Sequence, residues 1–286
     1  MLNFAIIHSY FIVSCYFISI SEYEFQEELA ELRLLITHFK PIHSTMSATS
    51  NDTPSSINGG SNIPRPLTAA QERRLTDYLD NKLLEIQRAY KKRCEVHALA
   101  DTIPLIPLFL PRNYETSTLR TLSSYIDAIH PLFTLVLMIP PLDSAVHLRA
   151  SLLLRLTGEF LDCMPGYDPD DFNKLLDMLD EIDRGWQALL RSQVWDEKLR
   201  EGVDTVLPPD TDIKITPISQ TDRTRLRSLL ISGTDKLEEW LEVIVSRIDA
   251  PDSETEAAEL EELRQRFDDL FDATLAEMGE FPESSQ

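Results

Sequence analysis

Glycine is scarce in this chain, with eight residues in 286, whereas average usage is roughly 7%. The glycines stand at Gly59, Gly60, Gly158, Gly166, Gly185, Gly202, Gly233 and Gly279. Neither a G-x-x-x-x-G-K-[ST] loop nor a G-x-G-x-x-G turn can be written with these positions. The sequence therefore disfavours a nucleotide-driven enzyme of the familiar kinds and predicts no cofactor.

Cysteine and positive charge are also scarce. The three cysteines, Cys15, Cys94 and Cys163, are widely spaced and odd in number, which is typical of a reducing compartment. The chain has 27 Lys and Arg against 48 Asp and Glu, a formal net charge of -21. Because phosphate binding depends on clustered Lys and Arg, we expect any nucleic-acid contact to be local. The prediction is an intracellular protein, cytoplasmic or nuclear.

One long uncharged run lies at the N-terminus, in residues 4–20. Its length is typical of a signal anchor, but no Lys or Arg precedes it and acidic residues follow it. Three interpretations of residues 1–45 stay open: a membrane anchor, a separate apolar helix that docks on the body, or a gene-model artefact with translation starting at Met46. A membrane contact is expected only if residues 4–20 are expressed.

The rest of the chain divides into three parts by composition. Residues 46–66 are rich in Ser, Thr and Asn and are predicted to be a disordered linker. Residues 67–280 are predicted to form one helical domain, and residues 281–286 a disordered tail. Residues 103–111 carry prolines among apolar side chains, so we expect a loop packed on the body.

Apolar residues recur at helical spacing through most of residues 67–280. Capping boxes at Thr68–Gln71 and Ser253–Glu256 mark two helix starts, and Asp168 followed by Pro169 marks another. We expect Pro131 to kink the second helix and Gly233 to weaken the fifth. The predicted helices cover about 69–97, 116–139, 143–163, 169–190, 221–248 and 253–278.

These helices predict an all-α fold, an irregular bundle of about six helices without a convincing sheet. The second and third are apolar on most faces and should be central. Residues 194–220 interrupt the helical pattern, and Asp212–Thr216 alternates like a short strand or an extended docking segment. A connection of this length is expected to be functional or disordered.

No catalytic or metal-binding residue is predicted. The Cys94-x-x-His97 pair lacks the second pair that a zinc site needs, and Cys163 ends an apolar helix where burial makes a thiol inert. On the third helix, Arg149, Arg155 and Glu159 form a narrow polar stripe that we expect to contain a partly buried ion pair.

Two charged clusters are candidate contact sites. The first is a compact basic cluster at the end of the first helix, suited to an anion or an acidic partner: Arg88, Lys91, Lys92 and Arg93. Alternatively, the helix dipole alone stabilises cations at this end, without any ligand. The second is an acidic amphipathic C-terminal helix suited to docking on a partner, or serving as the outermost helix of the bundle: Glu261, Glu262, Asp268, Asp269 and Asp272.

Three segments carry a resemblance to a known family: LTAAQERRLTDYLDNKLLEIQRAYKKR, VHLRASLLLRLTGEFLDCMPGY and LDEIDRGWQALLRSQVWD. They resemble a poorly characterised family of helical proteins from filamentous fungi, over about residues 67–205. Members are sometimes labelled meiotic recombination proteins of the recombinase type. The resemblance implies a helical fold and supplies no site residues, and the ATP-binding motif of such a recombinase is absent here.

Three functional hypotheses follow. The first is a non-enzymatic interaction or scaffold protein that binds an unidentified protein partner. The second is a nuclear accessory factor in DNA recombination or repair without ATPase activity, which uses the basic cluster locally. The third is an enzyme with an unrecognised site between the second, third and fourth helices.

Overall fold

The computed structural model describes residues 27, 29–30, 33, 67–102, 119–142, 144–204, 215–247 and 254–279. The chain divides into two compact units, Met1–Pro64 and Arg65–Gln286. In the first unit, the four described residues are helical. Several predictions fall outside the described residues: the apolar leader, the linker, the tail, the 103–111 loop and the cap at Ser253.

The second unit consists mainly of helices, which confirms the all-α prediction. They are α1 (Ala69–Thr102), α2 (Leu122–Leu137), α3 (Ser144–Cys163), α4 (Phe172–Leu190), α5 (Gln220–Arg247), α6 (Glu254–Asp268) and α7 (Asp272–Gly279). A single 3-10 turn, Met164–Gly166, follows α3 directly.

The core forms around α2 and α3, as their apolar composition predicts. On α2, ten of the sixteen residues are buried, and the helix passes through Pro131 without ending there. The predicted capping box of α1 is present, because the Gln71 amide donates to Thr68 Oγ1 and the Thr68 amide donates to Gln71 Oε1.

The start of α4 lies later than predicted. Its N-cap is Asp171, whose carboxylate accepts a hydrogen bond from the Lys174 amide at 3.0 Å. The two earlier acids hold neighbouring elements instead: Asp168 pairs with Arg247 at 3.1 Å, and Asp170 accepts from the Ser123 amide at 3.0 Å. The Asp-Pro pattern therefore marked the approach to the helix and not its first turn.

A β-hairpin in residues 194–203 was missed by the sequence analysis. Strand β1 (Val194–Asp196) pairs antiparallel with β2 (Glu201–Val203). The turn is held by the Asp196 carboxylate, which accepts from the amides of Lys198 and Leu199. Three-residue strands are too short for their alternation to register as a strand pattern. Further along, Ile215 forms an isolated antiparallel bridge with Leu142, as a docked extended segment would.

The predicted sixth helix is divided in two. After α6 the chain turns, and Phe271 adopts a left-handed conformation with φ of 64° before α7 begins at Asp272. The turn keeps the apolar side chains of both helices on the body: Phe267, Leu270, Phe271 and Met278 are buried. Unbroken helical periodicity in the sequence conceals such a turn.

Gly233 was expected to weaken α5, but it lies at a close contact between helices. A Cβ atom added at Gly233 would lie 2.5 Å from Leu161 Cδ1 on α3. Leu161 is itself buried, so the missing side chain allows α5 to approach α3.

Candidate interaction surface

The basic cluster of α1 is split between the interior and the surface. Arg93 is buried: its Nε donates to the Arg120 carbonyl at 3.1 Å, its NH1 donates to the Gly166 carbonyl at 2.6 Å, and its guanidinium lies 4.0 Å from the Tyr167 ring centroid. It fastens α1 to the α2 start and the 3-10 turn. The other three cations, Arg88, Lys91 and Lys92, are exposed.

The five acids of the predicted docking helix are all exposed, in a segment whose large apolar side chains pack on the body. Glu261, Glu262, Asp268, Asp269 and Asp272 point away from the core. The Phe267 ring packs 6.4 Å from the Trp240 ring between centroids, and Arg266 pairs with Asp180 on α4 at 3.3 Å. These helices therefore form an outer layer of the bundle. A partner could contact their exposed acids, but not the apolar side chains that pack inward.

A buried carboxylate contacts a histidine and an arginine at the hairpin. Glu181 is 3% exposed, and both of its oxygens lie 3.1 Å from His130 Nε2. Arg200, in the hairpin turn, also pairs with Glu181. Burial raises the Glu181 pKa, but the His130 hydrogen bond and the charges of His130 and Arg200 outweigh it, so the pKa lies below its usual value. This trio joins α2, α4 and the hairpin.

Asp183, two residues further along α4, has the opposite electrostatic balance. Burial raises its pKa above the usual value, although hydrogen bonds from Thr274 and Gln187 oppose the shift. Thr274 Oγ1 donates to Asp183 Oδ1 at 2.5 Å, which ties α7 to α4. Both acids therefore join helices.

The two described cysteines, Cys94 and Cys163, differ in burial. Burial raises the pKa of Cys163 to about 11, so it is the inert thiol that the sequence predicted. Cys94 is half-buried, and the side chain of His97 lies outside the described residues. Among the described residues, no group of three or more His, Cys, Asp or Glu side chains could hold a metal ion.

The polar stripe of α3 does not form one ion pair. Arg155 pairs instead with Asp80 on α1, and Glu159 accepts a hydrogen bond from Gln87. Arg149 is fully buried, donates from NH1 to the Gln193 carbonyl at 2.9 Å, and has no other hydrogen-bond partner among the described residues. Burial lowers its pKa to about 9.

The outward face of α5 carries a surface that the sequence analysis missed. Five residues spaced four apart form one ridge, which we call the α5 ridge: Arg223, Arg227, Ile231, Asp235 and Glu239. Residues at i and i+4 are neighbours on a helix surface. All are exposed except the half-buried Arg223, and Ile231 is 46% exposed. The charges change sign at Ile231, from basic toward the start of α5 to acidic toward its end.

The four charged side chains of the ridge form no ion pair with any described residue. Elsewhere in the second unit, cations commonly bridge two elements. Besides Arg155 with Asp80 and Arg200 with Glu181, the inter-element pairs include Lys174 with Asp127, Arg191 with Glu277, Lys236 with Asp162, Arg247 with Asp168, and Arg266 with Asp180. The ridge charges therefore take no part in the ion pairs that join elements of the described structure.

A missed signal for this ridge was present in the sequence. The alternation Arg223-Thr-Arg225-Leu-Arg227 is a second basic cluster, as compact as that of α1, and it lies in the first two turns of a helix. Every fourth residue from Arg223 shows the change of sign at Ile231.

No known protein provides a guide to the function of these surfaces. The chain matches no protein family, no curated protein and no solved structure. Within the described ranges, no helix has both the length and the apolar character needed to cross a membrane.

Proposed function

We propose that this protein is a non-enzymatic interaction protein that binds a protein partner through the outward face of α5. The proposal has two supports, one from the interior and one from the surface. Inside the bundle, the acids Glu181 and Asp183 are engaged in joining helices, and the Cys163 thiol is held protonated. None of these groups is arranged for acid-base or nucleophilic chemistry.

The observation that carries the proposal is the charge order of the α5 ridge. The ridge places Arg223 in the first turn of α5, where the helix dipole disfavours a cation, although Asp222 and Arg247 in the first and last turns follow the usual order. It also places Arg223 four residues from Arg227 and Asp235 four residues from Glu239, and like charges at that spacing destabilise a helix by about 0.2–0.5 kcal/mol per pair. This order of charges therefore does not stabilise α5 itself. It does favour the binding of a partner that carries the complementary order of charges.

A comparative affinity purification tests this function. We expect the tagged full chain, produced in its native cells, to retain a set of proteins that is lost from the Arg227→Asp variant. The matched control is Arg73→Asp, which makes the same change in net charge at an exposed position of α1. Identical sets from all three proteins, or no specifically bound protein at all, would reject the proposal.

The exposed part of the α1 cluster favours a second candidate, a nuclear accessory role in DNA recombination or repair. Arg88, Lys91 and Lys92 lie three and four residues apart and share one helix face. If they bind phosphates, duplex or single-stranded DNA should bind with an affinity that falls as salt rises. Fluorescence anisotropy with Lys91→Glu/Lys92→Glu should then show no binding, and wild-type protein that fails to bind would reject this candidate.

A further inference from the structure

We infer that the partner of the α5 ridge is a second copy of this chain, docked antiparallel with Ile231 next to the two-fold axis. This inference rests on the proposed function and names the partner. It follows from the symmetry of the ridge, because each charge has an opposite charge at the same distance on the other side of Ile231.

The spacing matches at two levels. Arg227 lies four residues before Ile231, and Asp235 lies four residues after it. Arg223 and Glu239 lie eight residues before and after. At a rise of about 1.5 Å per residue, these positions are about 6 Å and about 12 Å from the axis. In an antiparallel pair, Arg227 therefore lies level with the partner's Asp235, and Arg223 lies level with the partner's Glu239.

The two-fold axis repeats each charged contact on the other side of Ile231. An interface of this type uses the same patch on both copies, so two ridges form four oppositely charged contacts around the two Ile231 side chains. Ridges made of residues four apart pack against each other at a crossing angle of about −50° in the commonest class of helix pairs. A parallel arrangement would instead place Arg against Arg and acid against acid.

Beyond the ridge, the same symmetry brings no two exposed acids face to face at the next two levels. Seven residues on either side of Ile231 stand Thr224 and Glu238, and eleven residues on either side stand Gln220 and Glu242. All four are exposed. Each acid therefore faces a neutral hydrogen-bonding side chain, and no acid of α5 faces another acid across the axis at these levels.

The net charge of -21 sets the conditions of the test. Two copies repel over long range at low salt, whereas at about 0.15 M salt the Debye length is about 8 Å and only close contacts retain their strength. Charge reversal at physiological salt, and not a salt series, is therefore the discriminating variable.

The experiment is sedimentation equilibrium of the full chain at about 0.15 M salt, with two single variants and their mixture. Wild-type protein should dimerise. In Arg227→Asp, two Asp–Asp contacts replace two ion pairs, and in Asp235→Arg, two Arg–Arg contacts do so, hence each variant alone should dimerise at least about tenfold more weakly. An equimolar mixture should form heterodimers at near wild-type affinity, because Asp at 227 then meets Arg at 235 and each remaining native charge also finds its opposite.

Matched controls make the same changes of net charge away from α5, namely Arg73→Asp and Asp177→Arg, both at exposed positions. They should dimerise like wild type. Circular dichroism of every variant confirms that α5 is folded. The double variant Arg227→Asp/Asp235→Arg has the net charge of wild type. Two copies of it again place opposite charges face to face, so it should dimerise without a second variant.

Wild-type protein that stays monomeric at about 0.5 mM, a concentration at which even weak contacts of this size class associate, would overturn the inference. So would a dimer that both single variants leave unchanged. If wild type is monomeric but Arg227→Asp still loses a specific protein in the affinity purification, the proposed function stands and another protein occupies the ridge. If no partner depends on Arg227 in either assay, both proposals fail.

Discussion

Among the residues that the structure describes, three adopt a left-handed backbone without being glycine: Ser192, Arg200 and Phe271, with φ of 56°, 53° and 64°. This conformation costs an ordinary side chain roughly 1–2 kcal/mol, so surrounding contacts must hold it. The guanidinium of Arg200 pairs with Glu181, and the Phe271 ring is buried. In a chain poor in glycine, side-chain contacts enforce the sharp turns.

Ser192 differs from the other two left-handed residues because backbone hydrogen bonds, and not its side chain, hold its turn. It ends α4 in a Schellman arrangement, in which the Gln193 amide donates to the Ala188 carbonyl at 2.7 Å and the Ser192 amide donates to the Leu189 carbonyl at 3.1 Å. We predict that Ser192→Gly raises the free energy of unfolding by about 0.5–1 kcal/mol, measured by urea denaturation. Ser151→Gly, inside α3 and exposed, should instead lower it, and stabilisation by both would contradict the assignment.

The two acids of α4 should affect the pH dependence of stability with opposite signs. The Glu181 pKa is lower in the folded state, so its stabilisation is present above its unfolded value of about 4.3 and is lost as pH falls through the folded value. The Asp183 pKa is raised, so its charged form destabilises the fold, and this penalty is relieved as pH falls.

We therefore predict that wild type loses stability relative to Glu181→Gln between about pH 7 and pH 3.5, and gains stability relative to Asp183→Asn over the same range. At pH 7, Glu181→Gln should cost about 1.5–3 kcal/mol, since a hydrogen-bonded buried charge is removed. Urea denaturation at several pH values measures both differences. The same sign for the two variants would contradict the assigned balance of burial and charge.

Neighbouring cations of α1 should differ sharply in their effect on stability. Arg93 makes two hydrogen bonds to carbonyls and lies over the Tyr167 ring, whereas Lys92 is exposed. We predict that Arg93→Ala lowers the free energy of unfolding by about 2–4 kcal/mol, and that Lys92→Ala changes it by less than about 0.5 kcal/mol. Equal losses in thermal or chemical denaturation would mean that Arg93 does not join the elements as described.

At the scale of whole elements, helical periodicity predicted nearly all of the bundle, because the apolar stripes of α1, α4 and α5 are long and regular. It could not predict the hairpin, whose strands have three residues each, nor the break at Phe271, where the apolar pattern continues across the turn. The sequence pattern predicted no residue of the α5 ridge. It did predict the α1 cluster, of which Arg88, Lys91 and Lys92 are exposed. It could not show that Arg93 points inward, since that depends on carbonyls distant in the chain.

The helix contacts at two glycines provide a matched prediction. A Cβ at Gly233 would lie 2.5 Å from Leu161 Cδ1, whereas a Cβ at Gly158 would lie 3.6 Å from Leu229 Cδ1, an ordinary contact. We predict that Gly158→Ala stabilises by about 0.5–1 kcal/mol through helix propensity, and that Gly233→Ala destabilises by about 1–3 kcal/mol through overpacking between α3 and α5. Differential scanning calorimetry of both variants decides the matter, and a gain at Gly233 would show that the two helices separate easily.

For the molecule as a whole, charge has two separate uses. Inter-element ion pairs fasten the bundle, for example between Lys236 of α5 and Asp162 of α3 at 2.5 Å. The α5 ridge keeps its charges outside this network, with basic residues toward the start of α5 and acidic residues toward its end. In a chain of net charge -21, a self-complementary stripe allows two copies to meet at one defined register, while the rest of the acidic surface keeps them apart.

A cysteine placed at the centre of the ridge tests the central claim most directly. Helices packed 8–10 Å apart bring facing Cα atoms within the 4.4–6.8 Å range that a disulfide spans. Under mild oxidation, Ile231→Cys should form a covalent dimer on a non-reducing gel. Glu242→Cys, about 33 Å from its symmetry mate in the antiparallel pair, should remain monomeric like the wild-type chain. Equal crosslinking at both positions, or none at residue 231, would contradict the account.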